Sequence, residues 1–456
     1  MRPRIFPILF EVESVPQNLW MSRTFIKGNP TPIISRVCAD GTLVEAVYDP
    51  KAATTALAIA RPGAAPEVAA DFQAPDGDRL VAYSPRNNLL ATGSVLLPSD
   101  IGDFGDKGDL VAAVQAFIHR YVDLSPAFEE IAAHYALLTW VYDAFSELGY
   151  LRFRGDYGTG KTRALLAVGS LCYKPFFASG ASTVSPIFHV LDAFGGTLVL
   201  DEADFRFSDA TAELTKVLNN GTVDGLPVLR TMTNRHRELD PRAFCVFGPK
   251  LIAMREGFSD KALESRFLTE ETGRQPLRPD ISIHLPKEMK EEARKLRNRL
   301  LSWRFQARHE VGPDPTRLVP DIAPRLNQSA LALLSIIDDK RVRERIAREL
   351  VGEEARVLSE RASSVEATVL SAVCEVARTF PGPIPLSAVA EAHFSKTSGK
   401  IGEFLSSRTI GSVVRTRLRL PTAKSNGTYA IPATHRLQIW ALAERYRISA
   451  EAREAA

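Results

Sequence analysis

The sequence predicts an α/β protein. A three-layer domain built on a phosphate-binding loop (P-loop) follows a strand-rich N-terminal region and precedes a small C-terminal domain of helices and a hairpin. Three observations carry this. Between residues 151 and 285, short apolar strands alternate with helices. One strand runs straight into Gly155-Asp156-Tyr157-Gly158-Thr159-Gly160-Lys161-Thr162. A second, Leu198-Val199-Leu200, ends on the acids Asp201 and Glu202.

Length bounds the domain count. At roughly 100–200 residues per domain, 456 residues suggest three: 1–105, 106–361 and 362–456. A hydrophobic fraction of 45% with 24% charged residues argues against disorder or a coiled coil as the main architecture. A net charge of +3 leaves no global field, so nucleic-acid binding has to come from local clusters. Cys38, Cys172, Cys245 and Cys374 stand far apart without a CxxC pair. That spacing argues against a zinc site or a disulfide framework and fits a reducing compartment. The apolar run in MRPRIFPILFEVES is broken by Glu11, too early for a secretory core. No stretch approaches the ~20 apolar residues that cross a bilayer. A cytoplasmic protein with no membrane partner is expected.

The elements follow in order. Residues 1–105 alternate short apolar runs with Gly, Pro and Asp, read as strands, and carry no chemical motif. From Asp109, LVAAVQAFIHRYVDL and PAFEEIAAHYALLTWVYDAFSEL have helical spacing. LRFRG, FFASG, TLVLDEAD, PVLRTM, AFCVFG and PKLIAM then read as strands. KTRALLAVGSLC, SPIFHVLDAF, SDATAELTKVLNN and SDKALESRFL read as the helices between them. Ser208 and Ser259 are N-cap candidates and Gly221 a C-cap. Residues 286–361 are helical and highly charged.

Gly155–Thr162 matches the phosphate-loop pattern at every fixed position. The glycines let successive N–H groups curl toward phosphate oxygens. Lys161 supplies a point charge to the β and γ phosphates, and Thr162 offers its hydroxyl to Mg²⁺. The helix that starts at Lys161 points its positive end at the anion. Gly155 through Arg163 are the expected nucleotide contacts. Asp201 stands where it would hold the Mg²⁺ shell, and Glu202 where it would polarise the attacking water. Asp204 reads as a cap or hairpin contact.

Phosphate loop, LVLDEAD, PKLIAMRE and SDKALESRFL occur in that order. Over residues 125–350 the chain resembles an AAA+ ATPase of the helicase-like group found in phages and mobile elements, distantly similar to MCM replicative helicases. The resemblance implies ATP as the nucleotide. It also implies a homo-oligomeric ring, often a hexamer, with each ATP site at a subunit boundary. Ser265-Arg266-Phe267 resembles the motif that carries the arginine finger, which makes Arg266 the cation reaching a neighbour's γ-phosphate. At the sensor position, where the family usually has Asn, this chain has Met254-Arg255, and Arg255 is the candidate. Arg325 is a candidate second phosphate sensor from the helical lid.

Two regions suggest nucleic acid. Residues 222–248 read as a hairpin-like insertion bearing Arg230, Arg235, His236, Arg237 and Arg242. In helicase-like rings such loops line the central pore and meet single-stranded backbone phosphates; a solvated loop or subunit contact is the alternative. In the C-terminal domain, VEATVLSAVCEVART, LSAVAEAHF and SSRTIGSVVRTRLRL read as three helices. A turn at Lys424-Ser425-Asn426-Gly427 and the strand TYAI follow. This resembles a winged helix. Ile410, Val413, Val414 and Leu418 share one face of the third helix, and Arg408, Ser412, Arg415 and Arg419 the other. That second face would enter the major groove of duplex DNA, with Lys424 on the wing. A winged helix that binds protein is the alternative.

Three functions fit these residues. The leading one is a DNA-dependent ATPase, a helicase or replication protein. The second is a protein-remodelling or regulatory switch ATPase with the same catalytic residues. The third is a DNA-binding regulator whose nucleotide site is structural.

Overall fold

The computed structural model describes residues 30–202, 209–233, 237–258, 260–274, 276–320, 322–362, 364–396, 405–425, 427–446 and 448. Asp204, Ser208, Arg235, His236, Ser259 and Asn426 lie outside them. The chain divides into two units, the first ending at Ala347 and the second beginning at Arg348.

At the centre of the first unit is a five-stranded parallel sheet: β1 (Tyr150–Arg154), β2 (Phe176–Ser179), β3 (Leu198–Asp201), β4 (Lys250–Met254) and β5 (Phe267–Glu271). Its order is β5-β1-β4-β3-β2. The strands are short continuous apolar runs because both faces are covered. Tyr150, Leu198, Leu200 and Ile252 pack on α4 (Val184–Phe194) through Ile187, Phe188 and Leu191. On the opposite face lies α3 (Lys161–Gly169). There Gly169 comes so close that a Cβ would meet Val199 Cγ1 at 3.0 Å. Strand order decides the geometry of any site. The strands that end in the phosphate loop and in the acids, β1 and β3, are separated by β4. The C-terminal ends of β1, β4 and β3 therefore stand side by side, at the edge where open α/β sheets bind ligands.

Two sequence expectations change, and the N-terminal strands, which have a small core in Val44, Leu57, Ile59 and Leu80, also pack on the rest of the first unit. Ile34, Ala46, Leu90, Val95 and Leu97 share one core with Ile187, Phe188 and Leu198. Glu45, on the strand Leu43–Asp49, is buried. It accepts hydrogen bonds from Tyr173 Oη at 2.6 Å and from Arg304 Nε at 2.8 Å. Arg304 also holds Asp143 at 2.8 and 2.9 Å. Buried charges are tolerated only when matched in this way.

The helix expected to run to Leu148 stops at Trp140, and a 3₁₀ turn at Tyr142–Ala144 follows. The strand read at AFCVFG lies within the hairpin expected over residues 222–248 but is displaced toward the N-terminus. It begins earlier, at Leu239–Phe244, and pairs antiparallel with Val228–Thr233 as a separate hairpin.

The second unit is α5 (Val365–Thr379), β6 (Ile384–Pro385), α6 (Leu386–Lys396), α7 (Ser407–Ser412), β7 (Ala423–Ser425), β8 (Thr428–Ile431) and α8 (Arg436–Arg445). Its antiparallel sheet has the order β6-β8-β7. After α7 the chain continues as one π-helical turn, Val413–Arg417. Ile410, Val413, Val414 and Leu418 are buried, and Arg408, Ser412, Arg415 and Arg419 are exposed. Lys424 lies in β7, opposite Tyr429, rather than in the turn. Among the described residues no helix is long and apolar enough to cross a membrane.

Candidate nucleotide site

The phosphate loop leaves the C-terminal end of β1 and re-enters the fold as α3. Gly158 and Gly160 have φ of +72° and +88°. Residues with a Cβ adopt such values at a cost, which is why glycine stands there. Gly155 is glycine for another reason: a Cβ would meet Thr272 Oγ1 at 2.5 Å and the Thr272 carbonyl at 2.7 Å. Thr272, just past β5, is the residue that motif reading missed. Its N–H donates to the Arg154 carbonyl at 2.7 Å, and its hydroxyl meets Thr159 Oγ1 at 2.8 Å. It clamps both limbs of the loop. The sequence signal was the pair Thr272-Gly273, since a Cβ at Gly273 would press on Thr159 Cγ2 at 2.4 Å. Lys161 Nζ donates to the Asp156 carbonyl at 2.5 Å, so the ammonium lies folded over the loop. Thr162 is exposed one residue into α3.

Two strands away, Asp201 is the last residue of β3, and its Oδ1 accepts the Glu202 N–H at 2.9 Å. Glu202 is exposed and left-handed, with φ of +53°. A non-glycine residue held there costs on the order of 1–3 kcal/mol. Opposite it, a Cβ on Gly180 would meet the Glu202 carbonyl at 2.7 Å. The bare backbone of Gly180 therefore leaves room for this turn. The Thr162 hydroxyl and the Asp201 carboxylate are hard oxygen donors of the kind Mg²⁺ takes beside phosphate oxygens and water.

Between loop and acids stands Arg255, one residue beyond β4. Met254 is level with Arg154 in the β4–β1 register, so Arg255 is level with Gly155. Its guanidinium lies over the Tyr157 ring, 3.7 Å from the centroid, with Nη1 against the phenolic oxygen. Arg163 is directed elsewhere. Its Nε donates to the Tyr121 carbonyl at 2.6 Å and its Nη1 to the Ile283 carbonyl at 3.0 Å. Burial lowers its pKa.

Arg266 and Arg325 occupy the opposite edge of the sheet. Arg266 precedes β5, and its carbonyl accepts the Tyr150 N–H at 2.9 Å, at the start of β1. Its Nη1 donates to Thr222 Oγ1 at 2.5 Å and also meets the Asn219 carbonyl. Arg266 and Arg325 line one pocket with Glu147, Thr222 and Gln328. Burial lowers the Arg266 pKa, and the Arg325 charge lowers it further. Five residues of strand separate Tyr150 from Gly155, roughly 16 Å. Arg266 therefore stands a strand length from the phosphate loop of its own chain, and Arg325, on the helix Pro324–Ser335, lies beside it.

The candidate DNA contacts are scattered. Arg230 faces inward: its guanidinium lies over the Phe188 ring and pairs with Glu213. Arg237 is exposed with φ of +63°. In the second unit Arg408, Arg415, Arg419 and Lys424 are exposed, and Arg415 Nη1 donates to Thr422 Oγ1 at 3.2 Å.

No protein-family model matches this sequence, and no curated protein matches it. Among solved structures, the chain is similar to the apo structure of the NrS-1 C-terminal region. That match has 11% identity and a TM-score of 0.35, over 85% of this chain and 96% of that one. A JCV helicase matches at 14% identity and a TM-score of 0.25, over 58% of this chain and 64% of that one.

Proposed function

We propose that the chain is an ATP hydrolase that works on DNA as an oligomer, a helicase or replication ATPase. The observation that carries this reading is the grouping of strand ends. The phosphate loop after β1, Arg255 after β4 and the acids after β3 flank one crevice at the C-terminal edge of the sheet. The loop N–H groups, the positive end of α3 and Lys161 would take the phosphates. Thr162 and Asp201 would hold Mg²⁺, which neutralises developing charge on the transferring phosphoryl group. Glu202, one residue beyond β3, would orient water and accept its proton. Phosphoryl transfer needs positioning and charge more than covalent chemistry from the protein, and this site supplies both.

Arg266 belongs to the reaction only if it is supplied in trans. Its place on the far sheet edge, beside Arg325, suits a subunit boundary where one chain presents arginines to the next chain's phosphate loop. An arginine so placed is worth about 10³–10⁵ in rate. In the second unit, α5-β6-α6-α7-β7-β8 has the element order of a winged helix, and its exposed Arg408, Arg415 and Arg419 with Lys424 favour duplex phosphates. ATPase activity with and without single-stranded DNA at low salt tests the reading. Stimulation supports it; no stimulation together with no DNA binding removes the helicase claim.

One observation favours the protein-remodelling alternative. The outward face of the hairpin carries Leu229, Thr231, Thr233, Leu239 and Pro241, with no charge among its described residues. Leu229 and Leu239 are 68% and 78% exposed. Such a face suits protein better than phosphate. If Arg235→Ala with Arg237→Ala leaves DNA stimulation unchanged, the hairpin is not a DNA element.

A further inference from the structure

We infer that Thr222 is a positioning residue for Arg266: it anchors one nitrogen of the guanidinium and leaves the other two to a phosphate of the neighbouring chain. The inference rests on the reading above that Arg266 acts in trans.

The anchor is the end of a helix. Thr222 is buried two residues past the helix Asp209–Asn220. Its hydroxyl donates its one proton to the Asn219 carbonyl at 3.1 Å, so toward Arg266 Nη1 it can only accept. The Asn219 carbonyl accepts from the same nitrogen. Both acceptors lie at the negative end of the helix, which favours a cation without cancelling its charge.

The anchor is also fixed in place. The Thr222 carbonyl accepts the Leu148 N–H at 2.9 Å, and Val223 bridges to Glu147. The Gly221 carbonyl is held by Lys250 Nζ at 3.3 Å, and the Leu218 carbonyl by Tyr150 Oη at 2.8 Å. Asn219 Nδ2 donates to Asp260 Oδ2 at 2.8 Å, which ties the same helix end to the turn leading into Arg266.

What Arg266 lacks is a carboxylate. On β1, Arg152 is paired with Glu264 and Arg154 with Glu271. Among the described residues Arg266 forms no ion pair, and its Nε and Nη2 form no hydrogen bond. A guanidinium tethered at one nitrogen loses rotamer freedom in advance and keeps its remaining donors for an incoming oxyanion.

The test is ATPase activity and Mg·ATP binding of the full chain, alone and in co-assembled mixtures. Thr222→Val keeps the volume and removes the acceptor. Alone, it is expected to lower kcat by roughly tenfold or more, the worth of a hydrogen bond to a charged group. Mg·ATP affinity stays within a few-fold of wild type. Thr222→Ser, which restores the hydroxyl, recovers most of the loss, and the Thr222→Val/Arg266→Ala double is no worse than Arg266→Ala. Mixed with Lys161→Ala, the Thr222→Val chain gives more activity than the average of the two alone, because one boundary then joins an intact phosphate loop to a seated Arg266. Mixed with Arg266→Ala, it gives only the average. A role in folding the helix end alone predicts no difference between the mixtures. Wild-type kcat in Thr222→Val, an additive loss in the double, or equal behaviour of the two mixtures would overturn the inference. If co-assembled Lys161→Ala and Arg266→Ala chains show no recovery, the trans reading itself fails, and the inference with it.

Discussion

The carbonyl of Arg266 accepts the main-chain N–H of Tyr150 at 2.9 Å, which ties the arginine to the first residue of the strand whose last residue opens the phosphate loop. The strand works as a ruler between the two. An arginine at one end cannot serve a phosphate at the other within one chain, so Arg266 either acts on a neighbour or has no part in hydrolysis.

Mixing decides between those cases. Arg266→Ala and Lys161→Ala chains should each be inactive alone. Combined, they form boundaries in which an intact Lys161 from one chain meets an intact Arg266 from the other. ATPase activity is expected to return to a sizeable fraction of the wild-type rate. No recovery in a mixture shown to co-assemble would remove Arg266 from the reaction.

Glu202→Gln keeps shape and hydrogen bonding and removes the base. The expected result is a fall in kcat of at least about 10²-fold with nucleotide affinity within a few-fold of wild type. Steady-state kinetics paired with equilibrium binding checks it. An equal loss in both would mean that Glu202 holds the loop rather than water.

Arg304 joins Asp143, on the turn after Trp140, to Glu45 of the N-terminal strands. Burial pushes the Asp143 carboxyl upward, but the Arg304 and Arg308 guanidinium groups outweigh this and hold it well below the ordinary carboxylate range. A folded-state pKa below the unfolded value of ~3.9 stabilises the fold fully above that pH. The contribution is lost as pH falls through the window below it. Asp143→Asn should cost about 3–5 kcal/mol at pH 7, and its gap to wild type should narrow at pH 3. Denaturant midpoints at the two pH values check this, and a constant gap contradicts it.

Arg415→Ala with Arg419→Ala on the second unit should weaken duplex DNA binding and reduce the slope of log affinity against log salt by roughly 2. An unchanged slope would assign the face to protein.

Which residues stand at strand ends was more legible in the sequence than the architecture around them. Gly155–Thr162 and Asp201-Glu202 are local patterns whose chemistry depends on neighbours in the chain, so their strand-end positions were legible. The buried face Ile410, Val413, Val414 and Leu418 was legible too, because helical spacing survives the π turn at Val413–Arg417. Long-range partners were not. Nothing local links Glu45 to Arg304, or Thr272 to Gly155, and these contacts join the N-terminal strands to the rest of the first unit and brace the loop. The partners of Arg230 were hidden for the same reason: Phe188 and Glu213 lie on other elements. Arg325 came to lie beside Arg266 because tertiary packing, not helix position, decides which edge of a sheet a side chain meets.

The most direct measurement is the affinity of Mg·ATP for the purified chain and for Lys161→Ala. Wild type should bind in the micromolar range typical of nucleotide hydrolases, and loss of the ammonium should weaken binding by at least about tenfold. Equal affinity for the two chains would contradict the assignment of Gly155–Thr162 as the phosphate cradle.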